Sequence, residues 1–193
     1  MGGSSTRSKK LPDRPASAYR VPISDQQQVL PVDRRLLRAV VQRTLTAEQI
    51  RSARISLALV NNTTIHRINR DFLRHDYATD VLSFPLESLP PKKPHRAAAD
   101  FPRAGYHLEG ELVLSTEMAQ QTAALYGWHV GDELLLYVVH GLLHLCGYDD
   151  HSAADLRRMR ERERVLLAHW ELVPQYRRRS PAARRSPRTE PGR

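Results

Sequence analysis

The apolar segment GDELLLYVVHGLLHLCG, residues 131–147, is the feature that most constrains the fold. Apolar side chains occupy most positions from Leu134 to Cys146, so a helix formed here has little polar surface to present to water. Gly147 ends it, because glycine readily adopts the left-handed conformation that follows many helices. The sequence therefore predicts a central, buried helix with other elements packed around it.

Two histidines interrupt this apolar helix and indicate a metal site. His140 and His144 are four residues apart, so both imidazoles project from one helical face, about one turn apart. The chain turns after Gly147, which allows His151 to return towards the same point. Three imidazole nitrogens leave a fourth tetrahedral position open, as in catalytic zinc sites. We predict one Zn²⁺ per chain, bound by the central helix and the turn that follows it.

Two aspartates and a cysteine lie beside these histidines. Asp150 is the alternative third ligand to His151, because carboxylate oxygens also bind zinc. Asp149 is expected to orient an imidazole or to accept a proton. Cys146 lies only two residues after His144 and points to another side of the helix, so we interpret it as a small core residue.

Apolar periodicity along the rest of the chain predicts an α+β fold. Strand patterns occur in YRVPISD, ARISLALV, DVLSFPL and GELVLS. Helical patterns, with Asp33 and Ser152 as N-caps, occur in PVDRRLLRAVVQRTL, NTTIHRINRDFL, TEMAQQTAALYG and SAADLRRMRERERVLLAHWEL. Together with the central helix they predict a sandwich-like α/β arrangement, a small mixed β-sheet of about four strands packed with about five helices.

The net charge of +9 is concentrated at the two ends of the chain. Residues 1–20 hold five lysines or arginines against one aspartate, and residues 177–193 hold seven arginines against one glutamate. Neither end has a periodic apolar pattern, so we predict a disordered leader at 1–19, one catalytic domain at 20–175 and a disordered tail at 176–193. Basic arms of this kind either bind polyanions through phosphate contacts or aid solubility.

Composition argues against several classes of protein. No apolar run approaches the ~20 residues that cross a bilayer, so we expect no membrane partner. The first residues lack the apolar core of a secretory signal. A single cysteine cannot form an internal disulfide, which favours a reducing compartment, and we predict a cytoplasmic location.

The motifs together resemble the YbeY family of bacterial metal-dependent endoribonucleases. The family signature HGxLHLxGYDH is similar to HGLLHLCGYDDH at 140–151, and LNxxYRxxDxPTDVLSFP is similar to INRDFLRHDYATDVLSFP at 68–85. A third block, GDIxIS, is similar to GELVLS, and the resemblance spans residues 20–175. It implies a mixed sheet with packed helices, one zinc held by three histidines, and single-strand-specific RNA cleavage. The implied setting is rRNA processing, ribosome maturation and ribosome quality control, with small-subunit rRNA and ribosome-associated proteins as partners.

Two departures from the family pattern bear on the site. Where the family has one aspartate before its last histidine, this chain has Asp149 and Asp150, which moves His151 one residue along. We expect the turn to absorb this insertion, and ligand preference favours His151 over Asp150. The family's arginine falls on Leu73. The neighbouring Arg74 is therefore our candidate catalytic residue, balancing charge on the RNA phosphate.

Three other interpretations fit the same residues. A metal-dependent protease or amidohydrolase would attack a carbonyl instead of a phosphate, although Gly141 stands where the zincin motif H-E-x-x-H has its catalytic glutamate. A non-catalytic zinc-containing ribosome-assembly factor would use the ion only to stabilise its fold. A buried helix without metal would satisfy its histidines by hydrogen bonds alone. The sequence makes no prediction of oligomeric state.

Overall fold

The computed structural model describes residues 18–86 and 107–176. Most of the predicted leader, the tail from residue 177 and the proline-rich stretch 87–106 lie outside the described residues, and so do the structural predictions made for them. The described elements are β1 Tyr19–Arg20, β2 Ile23–Asp25, α1 Arg34–Ala47, β3 Ser52–Val60, α2 Asn62–Ile68, a π-helical turn Asn69–Leu73, β4 Val81–Pro85, β5 His107–Ser115, α3 Thr116–Tyr126, α4 Val130–Leu145, α5 Ala153–Leu167 and a 3-10 turn Ala168–Trp170.

The strands form one mixed sheet, which confirms the predicted α+β class. Its order is β1–β3–β5–β4, with β2 also paired to β3. β3 and β5 are parallel over their full length, while β4 lies antiparallel to β5. Within residues 18–86 and 107–176 the sheet has five strands, because the predicted first strand is interrupted at Val21 and Pro22. β1 and β2 then pair in parallel with successive parts of β3.

Asp33, Gly147 and Ser152 lie at helix ends, as predicted. The Asp33 carboxylate accepts hydrogen bonds from the first amides of α1, and the Ser152 hydroxyl accepts one from Asp155 N in α5. Gly127 and Gly147 have φ values of +72° and +89°, so the chain leaves α3 and α4 through the left-handed region that glycine tolerates. Gly147 and Ser152 fix where α4 ends and α5 begins.

The helix α4 is central, as its composition predicts. Most of its 16 residues are buried, and it contacts α1, α3, α5, β4 and β5. Gly141 lies against the sheet so closely that an added Cβ would approach Leu112 Cδ2 to 2.9 Å and Val81 Cγ2 to 3.0 Å. Cys146 is buried at the end of the helix, which confirms its interpretation as a core residue. Within the described part of the chain, no helix is both long and apolar enough to cross a membrane.

Candidate metal centre

The two histidines of α4 face each other across one turn of the helix. Their Nε2 atoms are 3.0 Å apart and their rings are nearly perpendicular, at 87°. Both residues are half-buried, whereas most of the other residues of α4 are fully buried. The predicted pair therefore points its two Nε2 atoms at one position in space.

The hydrogen bonds on the far side of each ring fix which nitrogen carries the proton. His144 Nδ1 lies 3.1 Å from the Tyr148 carbonyl oxygen, which can only accept, so this nitrogen carries a hydrogen. His140 Nδ1 donates to Glu163 Oε1 over 2.7 Å. With both Nδ1 atoms protonated, neutral rings present two Nε2 lone pairs to each other, and two acceptors so placed need a proton or a cation between them.

The donor set fits a divalent metal ion. Two zinc–nitrogen bonds of ordinary length at a tetrahedral angle place their nitrogens about 3.3 Å apart, close to the 3.0 Å seen here. A carboxylate and a backbone carbonyl behind the rings are the partners that ligating histidines usually have. His140 and His144 would thus hold the ion through Nε2, with Glu163 and the Tyr148 carbonyl fixing the rings.

Neighbouring charges shift the pKa values of the two histidines in opposite directions. Burial lowers the pKa of His140, but the hydrogen bond and negative charge of Glu163, together with the charges of Asp80 and Asp150, outweigh it, so the net shift is upward. Burial and the adjacent His140 lower the pKa of His144. The charge of Asp150 acts on both imidazoles and favours a cation at this position.

The two candidates for the third ligand lie in different places. The ligand atoms of His140, His144 and Asp150 all lie within 4.8 Å of one another. The His151 side chain is 87% exposed, and its Nδ1 is hydrogen-bonded to the Asp149 carboxylate. His151 groups instead with Asp149 and Asp150, towards solvent.

A cavity of about 450 Å³ opens beside the histidines. His140 and Asp150 lie in its wall, together with Asp80 just before β4 and Glu133 about two turns before His140 in α4. Glu133 is buried and accepts a hydrogen bond from Trp128 Nε1, and its burial raises the pKa of its carboxyl. His140 thus borders a space large enough for part of an extended substrate.

Arg74 is an exposed residue of the segment that precedes β4. It ends the π-helical turn in the left-handed conformation, with φ of 63°, and its side chain is exposed. It is not among the described residues that line the cavity. Its predicted contact with a phosphate stays a prediction. Asn69 is buried in the same turn and donates from Nδ2 to the Tyr77 carbonyl, which fixes the loop that leads to Asp80.

Comparison with known proteins decides the family. The family model described as "Endoribonuclease YbeY" matches residues 22–171. This chain belongs to the YbeY family. The YbeY endoribonuclease of Salinibacter ruber is 38% identical over 136 residues, which cover 70% of this chain and 82% of the relative. That of Moorella thermoacetica is 39% identical over 150 residues, covering 76% of this chain and 94% of the relative.

The solved structure of TM1509 from Thermotoga maritima is also similar to this YbeY chain. The two sequences are 22% identical. The match covers 79% of this chain and 91% of TM1509, with a TM-score of 0.48.

Glu163, which binds His140 on the side facing away from His144, was not predicted from the sequence. Glu163 is 23 positions further along the chain, in α5, and no local motif connects the two. One signal was present. Glu163 shares a face of α5 with the buried residues Met159, Leu166 and Leu167, and a carboxylate in such an apolar stripe requires a buried partner.

Proposed function

We propose that this chain is a metal-dependent endoribonuclease that cleaves single-stranded RNA. The observation that carries the proposal is the pair of Nε2 atoms directed at each other, 3.0 Å apart, beside a cavity in a member of the YbeY family. Zn²⁺ is the proposed ion, with one bound per chain. When bound, it supplies Lewis acidity that polarises a phosphate oxygen or activates water.

The residues of the chain perform the remaining tasks. His140 and His144 hold the ion, and a third donor comes from the turn at 149–151. Glu163 and the Tyr148 carbonyl keep the rings in the tautomer that leaves both Nε2 atoms free to bind. The cavity beside His140 accepts the substrate strand, and Arg74 is proposed to approach a phosphate from the neighbouring loop.

The packing of Gly141 supports a nuclease over a protease of the zincin type. A side chain at this position would meet Leu112 and Val81, so the structure leaves no room for the glutamate that zincins use as a general base. The Ser83 hydroxyl also donates to the Gly141 carbonyl, which ties this turn of the helix to β4.

The proposed biological role is rRNA processing during ribosome maturation and quality control in the cytoplasm, with small-subunit rRNA as substrate and ribosome-associated proteins as partners. It is supported by the names of the YbeY relatives as endoribonucleases and by the clusters of basic residues at both ends of the chain. Arginine-rich arms bind RNA chiefly through phosphates.

The test is cleavage of an end-labelled single-stranded RNA by the full chain. We expect cleavage that stops after dialysis against a strong chelator, returns with stoichiometric Zn²⁺, and spares the same sequence in a perfect duplex. His140→Ala should not cleave, while His169→Ala, which changes an exposed histidine of the 3-10 turn, should behave as the wild type. Full cleavage by His140→Ala, free of contaminating nuclease, would remove the metal centre from the reaction.

A further inference from the structure

We infer that the third protein ligand of the metal in this chain is Asp150, not His151, so that the site is a set of two imidazoles and one carboxylate. This inference rests on the proposed function, because it concerns the same metal centre. It departs from the three-histidine site that the family resemblance implies, and it changes which ions the site prefers.

The position of Asp150 is the first argument. Its carboxylate lies within 4.8 Å of the ligand atoms of both His140 and His144, and it lines the cavity beside His140. The Nε2 atoms of His140 and His144 are both acceptors and lie 3.0 Å apart, an unfavourable contact that a cation between them would relieve. A carboxylate oxygen from Asp150 would complete a set of three donors, next to the cavity that His140 and Asp150 line.

The turn that follows α4 explains why Asp150 and not its neighbour faces the histidines. Asp149 Oδ1 accepts hydrogen bonds from the backbone amides of Asp150, at 2.8 Å, and His151, at 3.3 Å. The same oxygen binds His151 Nδ1. Asp149 therefore holds the backbone of the turn and keeps the His151 imidazole at the outer surface, where it is 87% exposed.

The start of α5 restrains the turn from its other end. Ser152 caps α5 by accepting a hydrogen bond from Asp155 N at 3.0 Å. Gly147 ends α4, so only residues 148–151 lie between Gly147 and Ser152. As a ligand, His151 would need its exposed imidazole to move inwards, because its nitrogens do not lie in the group formed with His140 and His144. The Asp150 carboxylate already lies in that group.

A carboxylate ligand has two chemical consequences. Two neutral imidazoles and one carboxylate give the ligand set a charge of −1, where three imidazoles would be neutral. Oxygen donors also suit harder ions such as Mn²⁺ better than imidazoles do. We therefore expect the site to bind Zn²⁺ tightly and to discriminate less strongly against Mn²⁺ than a three-imidazole site does.

The test is Zn²⁺ affinity of the full chain, measured by competition with a chromophoric chelator. We expect Asp150→Asn to weaken binding by more than the ~10–100-fold that follows loss of a group that only orients a ligand. His151→Ala should stay within about threefold of wild type, a change too small for loss of a ligand. A larger loss in His151→Ala than in Asp150→Asn, or an equal loss in both, overturns the inference.

A second variant separates ligand exchange from damage to the fold. Asp150→His replaces an oxygen donor by a nitrogen, so Co²⁺ bound to this variant should show a shifted visible absorption spectrum and a greater preference for Zn²⁺ over Mn²⁺. An unchanged spectrum would contradict a role for Asp150 in the inner sphere. His140→Ala distinguishes the two proposals: if it abolishes Zn²⁺ binding while Asp150→Asn does not, only the present inference fails. If His140→Ala also binds normally, the proposed function fails with it.

Discussion

At the scale of single residues, the site depends on hydrogen bonds made on the side of each imidazole that faces away from the proposed ion. The Tyr148 carbonyl holds His144, and Glu163 holds His140. The Glu163 side chain is only 3% exposed, so water contributes little to its solvation. A buried carboxylate of this kind is retained because the histidine satisfies it.

Replacing this carboxylate by an amide should weaken metal binding without removing a ligand. We expect Glu163→Gln to lower Zn²⁺ affinity by about 10–100-fold, because a neutral acceptor holds the Nδ1 proton of His140 less firmly and makes Nε2 a weaker donor. Chelator competition measures the loss. Glu161→Gln, which changes an exposed carboxylate in the same helix, is the matched control. Equal affinities in folded Glu163→Gln and the wild type would show that Glu163 does not position the ring.

At the scale of elements, Gly141 lets α4 pack closely against the sheet because it has no side chain. An added Cβ would lie 2.9 Å from Leu112 Cδ2, 3.0 Å from Val81 Cγ2 and 3.1 Å from Ser83 Oγ. This close approach packs α4 against β4 and β5, and the adjoining His140 lines the cavity.

Two glycines of α4 should therefore respond oppositely to alanine. Gly141→Ala should destabilise the fold by about 1–3 kcal/mol, because a tightly packed interface must open for the new methyl group. Gly131→Ala has open space around its Cβ and should leave stability unchanged or raise it by up to about 1 kcal/mol, because alanine lowers the entropy of the unfolded chain. Urea unfolding of both variants measures the difference, and equal effects would contradict the packing argument.

Most elements could be predicted from the sequence because each carries its own periodicity or cap. The strand at 52–60, the buried helix at 130–145 and the capping residues Asp33 and Ser152 are of this kind. The break between β1 and β2 was missed, since Pro22 interrupts the strand without changing its apolar pattern.

The site was less predictable than the fold because its contacts join distant or turn residues. His140 and His144 follow from helical spacing alone. The bond from His140 to Glu163 depends on how α5 packs against α4, which no local pattern specifies. The placement of Asp150 and His151 depends on three hydrogen bonds to one oxygen of Asp149, and the sequence shows only that these residues are adjacent.

At the scale of the whole molecule, the last described residues lead from the cavity to the arginine-rich tail. Tyr176 lines the cavity, and its ring lies against the guanidinium groups of Arg160 and Arg164, with separations of 4.5 and 5.1 Å. The seven arginines at 177–193 follow directly in the sequence. The basic segment therefore begins, in the sequence, directly after a residue that lines the cavity.

Removal of the tail should change how RNA binding depends on salt. A chain ending at Tyr176 should bind single-stranded RNA more weakly, and its log–log salt slope should fall by about 0.7 for each phosphate that the protein no longer neutralises. Titrations at several salt concentrations measure the slope. A full-length variant with the seven tail arginines changed to lysine keeps the charge and should keep the slope. An unchanged slope in the shortened chain would show that the tail does not bind RNA phosphates.

The central claim is that His140 and His144 bind one divalent ion through their Nε2 atoms. The most direct measurement is an anomalous difference map at the zinc absorption edge, from crystals of the full chain grown with Zn²⁺. We expect a single strong peak at about 2.0–2.1 Å from both nitrogens. A map with no peak there, or with its only peak at the outer group of Asp149 and His151, would contradict the claim.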